Sequence, residues 1–149
     1  MIPSQRCIDL IKQFEGFYSN AYLCPASVET IGFGTIRYAN GVKVKLGDKI
    51  TMEDAEKELL HELQKFSNKI TANVNQNQFD SLCSFAYNLG INALLNSTLY
   101  KKVKANPSDV TIENEFMKWN KARVKGVLTE LKGLTRRRKA EAKLYYDKN

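Results

Sequence analysis

A chain of 149 residues and 17.0 kDa suits one domain spanning residues 1–149, large enough to bury a core without metal or disulfide staples. Hydrophobic residues at 43% and charged residues at 26% are ordinary for a globular protein, with no repeat or low-complexity tract to suggest a fibrous or disordered chain. The net charge of +7 points to an anionic partner, and no apolar run is long enough to span a membrane, so stable membrane insertion is not expected.

The chain begins Met1-Ile2-Pro3-Ser4-Gln5-Arg6 and runs straight into an amphipathic pattern, without the basic and apolar regions of a signal peptide. Cys7, Leu10, Ile11 and Phe14 recur at the spacing of one buried helix face, with Ser4 as N-cap and Gly16 as the stop. That puts Glu15 in the last helical turn. A carboxylate there meets the negative end of the helix dipole with Phe14 and Phe17 beside it, a setting that favours the neutral form a general acid needs.

Two strands follow, Ala21 to Cys24 and Val28 to Phe33, joined by Pro25-Ala26-Ser27. Folded as a hairpin they bring Cys24 and Thr30 together, so that one acid and two small polar side chains line a cleft. Taken singly, each residue has a plainer reading: a solvated helix-end glutamate, a small apolar thiol and an ordinary β former. Asn40-Gly41, between alternating residues of Ile36 to Val44, predicts a further strand pair completing a small antiparallel sheet.

Thr51 and Asp54 read as a capping box for the clearest helix in the chain. Met52, Ala55, Leu59, Leu63, Phe66 and Ile70 keep one face over a length of roughly 28 Å, enough to link two lobes. The remainder reads as helices only: one capped by Asn75 and ending at Gly90, then shorter ones around Asn92 to Ala105, Val110 to Lys121 and Thr135 to Asp147. The predicted architecture is α+β, with a small sheet lobe, a long connecting helix and a helical C-terminal lobe, and the cleft between the lobes.

Cys7, Cys24 and Cys83 are odd in number and form no C-x-x-C pair, which fits reduced thiols and gives no metal site; Cys7 and Cys83 read as core residues. Residues 118–149 hold eleven Lys or Arg against three acids, so the basic character is a C-terminal feature. No nucleic-acid motif accompanies it, and Arg137 and Arg138 stand at helical ion-pair spacing from Glu141.

The pattern of Glu15, eight residues, Cys24, five residues, Thr30, followed by Ile31-Gly32-Phe33-Gly34-Thr35, resembles the catalytic segment of the phage-type lysozymes, the endolysins of glycoside hydrolase family 24. In that family the middle position is Asp in many members and Cys in others. Further segments resemble family signatures in family order: Gly41-Val42-Lys43-Val44, Gly47 to Thr51, Phe79 to Gly90, and Gly133-Leu134 with Arg137, Arg138, Glu141 and Tyr145.

The resemblance implies a lysozyme-like fold and cleavage of the β-1,4 bond between N-acetylmuramic acid and N-acetylglucosamine in peptidoglycan, with no cofactor. It implies that Glu15 protonates the leaving oxygen, that Thr30 helps place the attacking water, and that Cys24 stands where many relatives have Asp. A thiol with a reference pKa near ~8.5 is a poor substitute for a carboxylate base, and no cation or His lies nearby in sequence. Cys24 is therefore expected to fill space beside the water. The same resemblance implies a monomer made in the host cytoplasm and released to the wall through a separate holin. Lytic transglycosylase cleavage by Glu15 alone, and a non-catalytic wall-binding protein, are the alternatives.

Overall fold

The computed structural model describes residues 1–148. Helix α1 (Gln5–Glu15) forms where the periodicity puts it, although its buried residues are Cys7, Ile8 and Ile11, with Leu10 and Phe14 half-buried. Ser4 does not cap the helix with its hydroxyl. Its N–H donates to Asp80 Oδ1 at 2.9 Å and its hydroxyl to Asp80 Oδ2, tying the start of α1 to the helical lobe.

Gly16, at φ 71, turns the chain out of α1 into strand β1 (Tyr18–Leu23), which pairs antiparallel with β2 (Glu29–Gly32). Tyr22 stands opposite Thr30 and Leu23 opposite Glu29, with a register shift between Tyr18 and Tyr22. Cys24 lies one residue beyond β1, in the turn rather than in the strand. Its N–H donates to the Val28 carbonyl at 3.0 Å, and its own carbonyl accepts from the Ser27 N–H at 2.8 Å.

The strand pair expected over Ile36 to Val44 is reduced to a tight loop. Only single bridges form, Ile31 with Thr35, Arg37 with Lys43, and Asn20 with Lys49. The backbone turns at Gly34 (φ 89) and again at Gly41 (φ 88) before a ladder can extend, and Asp48 pins the loop through the Tyr38 hydroxyl at 2.8 Å. That hydroxyl is pushed up to about 12 by burial and by the Asp48 carboxylate.

Helix α2 (Met52–Phe66) links the lobes. Thr51 Oγ1 accepts from the Asp54 N–H at 3.1 Å, Glu53 and Asp54 meet the positive end of the dipole, and Ala55, Leu59, Leu63 and Phe66 are buried. At about 1.5 Å per residue it is about 22 Å long, shorter than the sequence pattern suggests. A 3-10 turn (Ser67–Lys69) follows and still carries Ile70 into the core. Helix α3 (Gln76–Leu89) starts on a full capping box, Asn75 N–H to Gln78 Oε1 at 3.0 Å and Gln78 N–H to Asn75 Oδ1 at 2.8 Å. It runs through the middle of the helical lobe, so Asp80, Ser81 and Ser84 are buried with Phe79, Leu82, Cys83 and Phe85.

The segment read as one helical stretch over Asn92 to Ala105 is two helices, α4 (Ile91–Leu95) and α5 (Thr98–Ala105). Ser97 separates them by accepting the Tyr100 N–H at 3.0 Å. After α6 (Ile112–Met117) comes an element the sequence reading did not expect. Strands β3 (Lys121–Val124) and β4 (Val127–Glu130) pair in register around Lys125-Gly126, both at positive φ, and correct the reading of this half as helices only. Helix α7 (Lys132–Tyr145) closes the lobe against α3 and α6.

One buried cluster runs from Ile8 and Ile11 of α1 through Leu59, Leu63, Phe79, Leu82 and Phe85 to Phe116 and Tyr145. Its aromatic part packs edge to face, Phe85 on Phe116 at 6.0 Å, Phe85 on Trp119 at 5.4 Å and Phe116 on Tyr145 at 5.8 Å between ring centroids. The fold is thus α+β with a small sheet lobe and a helical lobe joined by α2. Among the described residues no helix is long and apolar enough to cross a membrane.

Candidate active site

Glu15 ends α1 where the two lobes meet, with 21% of its side chain exposed. The apolar surroundings expected for it are only part of its setting. Arg137 Nη1, from α7, lies 2.6 Å from Glu15 Oε2, with its guanidinium 5.9 Å from the centre of the Phe14 ring. On the opposite side Gly34 closes against the carboxylate: a Cβ at that position would stand 2.7 Å from Glu15 Oε1. Glycine is required there both by the positive φ and by the space.

Two depressions lie near this carboxyl, and Glu15 lines the second of them. One, of about 310 Å³, is lined by Gly34, Thr35, Arg37, Glu58, Glu62 and Tyr87, between the sheet lobe and helices α2 and α3. The other, of about 570 Å³, is lined by Gln13, Glu15, Asn88, Leu134 and Arg136 beside the start of α7. Tyr87 ties the lobes across the first, its hydroxyl donating to the Phe33 carbonyl at 2.5 Å. Burial, with the Glu15 and Glu62 charges, pushes that hydroxyl well above the ordinary tyrosine range. Lys12 adds a second tie, 2.8 Å from Glu56 and over the Phe33 ring at 5.4 Å.

Thr30 is buried and Cys24 half-buried. Thr30 Oγ1 donates to the Val28 carbonyl at 2.9 Å. Glu29, paired with Leu23, projects from the other face of the hairpin, as strand alternation requires. Neither Cys24 nor Thr30 lines the two depressions at Glu15. Tyr22 stands opposite Thr30; burial raises its hydroxyl, and the charges of Tyr18, Glu15 and Cys24 raise it further.

With no cation or His near it in sequence, Cys24 reads as a neutral space-filler. In the folded turn the Val28 N–H holds it below the ordinary thiol range; burial opposes this, and the Ala26 N–H and the Thr30 side chain lower it further. These donors belong to backbone whose direction is set only once Ser27 adopts φ 61 and the turn closes.

Arg137, Tyr87, Gly34 and Tyr22 were not singled out as site residues by sequence. The Arg137 and Arg138 spacing to Glu141 does predict their ion pairs, at 3.3 Å and 2.7 Å. Yet both arginines are buried, not members of a basic surface. Among the described residues no group of His, Cys, Asp and Glu is placed to hold a metal ion.

A small sheet lobe, a connecting helix and a helical lobe with a carboxyl at their junction define a protein of the lysozyme-like class. A sequence model described as Phage lysozyme matches residues 12–141, and the chain belongs to that family, whose members degrade peptidoglycan. It is 39% identical over 147 residues to the endolysin of Acyrthosiphon pisum secondary endosymbiont phage 1, covering 95% of this chain and 96% of that one. Among solved structures it resembles an endolysin from Escherichia coli O157:H7 phage FAHEc1, with a TM-score of 0.92 and 41% identity over 99% of this chain and 94% of the other. The muramidase domain of SpmX from Asticaccaulis excentricus is similar at a TM-score of 0.83 and 30% identity, over 97% of each chain.

Proposed function

We propose that the chain is a single-domain, endo-acting muramidase that hydrolyses the β-1,4 bond between N-acetylmuramic acid and N-acetylglucosamine in peptidoglycan. The observation that carries this reading is the Glu15 carboxyl at the junction of the lobes, lining an open depression and held between Arg137 and Gly34. Similarity to a protein described as a muramidase domain supports the same bond. In this reading Glu15 gives its proton to the glycosidic oxygen as the bond to the sugar carbon breaks. Water then adds to that carbon, oriented by the lone pairs of Thr30, and Cys24 as thiolate takes the water's proton. The protein acts as a monomer, is made in the host cytoplasm, and reaches the wall when a separate holin opens the inner membrane.

Mass spectrometry of fragments from digested peptidoglycan tests the reaction. Reducing muramic acid ends are expected. An anhydro-muramic product would replace hydrolysis by transglycosylase cleavage with Glu15 alone, and a wall preparation bound but uncut would leave a binding protein.

The substitution series at Cys24 tests the thiol. The N–H groups of Val28 and Ala26 serve a carboxylate as well as a thiolate, so Cys24→Asp is expected to match or exceed the parent. Cys24→Ser, which cannot ionise in the working range, is expected to lose about tenfold or more. The sign follows from the active form: the thiolate gains population as pH rises, so the parent's activity climbs through neutral pH while Cys24→Asp lacks that climb. PH profiles of kcat/KM for the three proteins decide it. Full activity in Cys24→Ser would return the thiol to space-filling.

The basic C-terminal region gives a further expectation. With Arg137 and Arg138 interior, its remaining cations face solvent and an anionic wall. Raising salt from 0.1 M to 1 M shortens the Debye length from ~10 Å to ~3 Å and is expected to weaken binding to purified walls in a sedimentation assay. Salt-independent binding would assign the affinity to sugar contacts alone.

A further inference from the structure

Arg137 reaches Glu15 from inside the helical lobe, and groups shielded from solvent set the direction of its guanidinium. Glu141, one turn further along α7, is fully buried. Its Oε2 accepts from Ser84 Oγ at 2.6 Å and from Arg137 Nε at 3.3 Å. Arg137 Nη2 donates to the Ser84 carbonyl at 3.2 Å, which leaves Nη1 aimed at Glu15. The other guanidinium, Arg138, lies over the Phe85 ring at 5.0 Å and donates through Nη2 to Asn88 Oδ1 at 2.8 Å and to Glu141 Oε2 at 3.2 Å.

Stability is a weak reason for such a cluster. Apolar side chains of similar volume in place of a buried ion pair are often as stable or more so. Here the fit is also incomplete: Arg138 Nε and Glu141 Oε1, 2.7 Å apart, lack hydrogen-bond geometry, and Arg138 Nη1 is buried without a hydrogen-bond partner among the described residues. What the cluster does achieve is a fixed path of contacts from Ser84 and Glu141 through Arg137 to the Glu15 carboxyl.

We propose that Glu141 is a positioning residue for the wall-cleaving reaction: by holding Arg137 Nε it aims Nη1 at Glu15 Oε2 and keeps part of the guanidinium charge directed away from that carboxyl. The inference rests on the reading of Glu15 as proton donor. Other ionisable groups facing the pathway are few. The Glu15 charge acts on Tyr87 of α3 and Tyr22 of β1, while Arg138 of α7 acts on Glu141 and Glu141 acts on Cys7 of α1.

The test is Glu141→Gln, which keeps shape and removes charge, followed by kcat and KM across pH on purified peptidoglycan fragments and by a thermal melt. Turnover at neutral pH is expected to fall about tenfold with KM little changed, the scale of one oriented, charge-assisted hydrogen bond. The alkaline limb of kcat is expected to move to lower pH. Without the Glu141 charge, the Arg137 cation faces Glu15 with no buried anion to offset it, whereas a donor must hold its proton. Ser84→Ala retains all charges, loosens the Glu141 carboxylate and removes a long 3.5 Å contact from Arg137 Nη2, so it is expected to change kcat in the same direction by less, and it carries the test if Glu141→Gln does not fold.

A lower melting temperature with parental kcat and an unmoved alkaline limb, in whichever of these variants folds, would overturn the positioning role. Failure of the underlying reading looks different. Near-normal turnover in Glu15→Gln would remove Glu15 as donor, whereas an inactive Glu15→Gln beside a fully active Glu141→Gln would overturn the positioning role alone.

Discussion

Glu15→Gln is expected to lower peptidoglycan hydrolysis by on the order of 100-fold or more while leaving the fold intact, the scale of losing a general acid. The amide has the carboxyl's shape, so it meets Gly34 without a new clash and still accepts from Arg137 Nη1. Arg137 is not stranded by the change. It keeps Glu141 Oε2 at 3.3 Å and the Ser84 carbonyl at 3.2 Å. Lost activity with an unchanged melting curve is therefore the expected pair of results, read from wall turbidity and from circular dichroism. A folded Glu15→Gln protein that clears walls at near-normal rate would sink the assignment.

The largest stability effect is expected at Arg138. It is fully buried and the largest such side chain, stacked on Phe85 and bonded to Asn88 and Glu141. Arg138→Ala opens a cavity beside Phe85, leaves Asn88 Oδ1 without this donor, and leaves the buried Glu141 carboxylate with Arg137 as its one remaining cation among the described residues. Breaking a buried pair from one side costs about 3–5 kcal/mol, because the other charge remains in a medium that solvates it poorly. For a chain of this length that corresponds to a fall in Tm of roughly 10 °C. The companion variant Arg138→Met with Glu141→Leu removes both charges and refills the space, and it is expected to regain much of the loss. A thermal melt of the two proteins checks this. A fall of only a degree or two in Arg138→Ala would mean that water reaches Glu141 and solvates it.

The parts of this protein that were legible in sequence are those written within a few residues of themselves. Helix α1 with Glu15 at its end, the Pro25 hairpin and the Asn75 capping box all rest on spacing of one to four residues, where backbone geometry alone relates the side chains. The hairpin of β3 and β4 escaped because most of its residues are exposed on both faces, so no burial alternates along it, and its Lys125-Gly126 turn lacks the Asn or Asp that marks such a bend. The loop from Ile36 to Val44 went the other way, its alternating residues intact but its ladder cut short by turns at Gly34 and Gly41.

The site divides along the same line. Glu15, Cys24 and Thr30 stand out through a spacing in one short segment, and Arg137 and Arg138 through their distance from Glu141 on one helix. That Arg137 also reaches Glu15, 122 residues away, and that Gly34 closes against the other carboxylate oxygen, required α7 to dock on α3 and the sheet lobe to fold back over α1. The donors around Cys24 are backbone N–H groups, which every sequence contains and none displays. Local periodicity thus determined where the acid and its helix lie; packing between distant elements decided which charges and dipoles surround it, because electrostatic effects follow distance in space rather than separation along the chain.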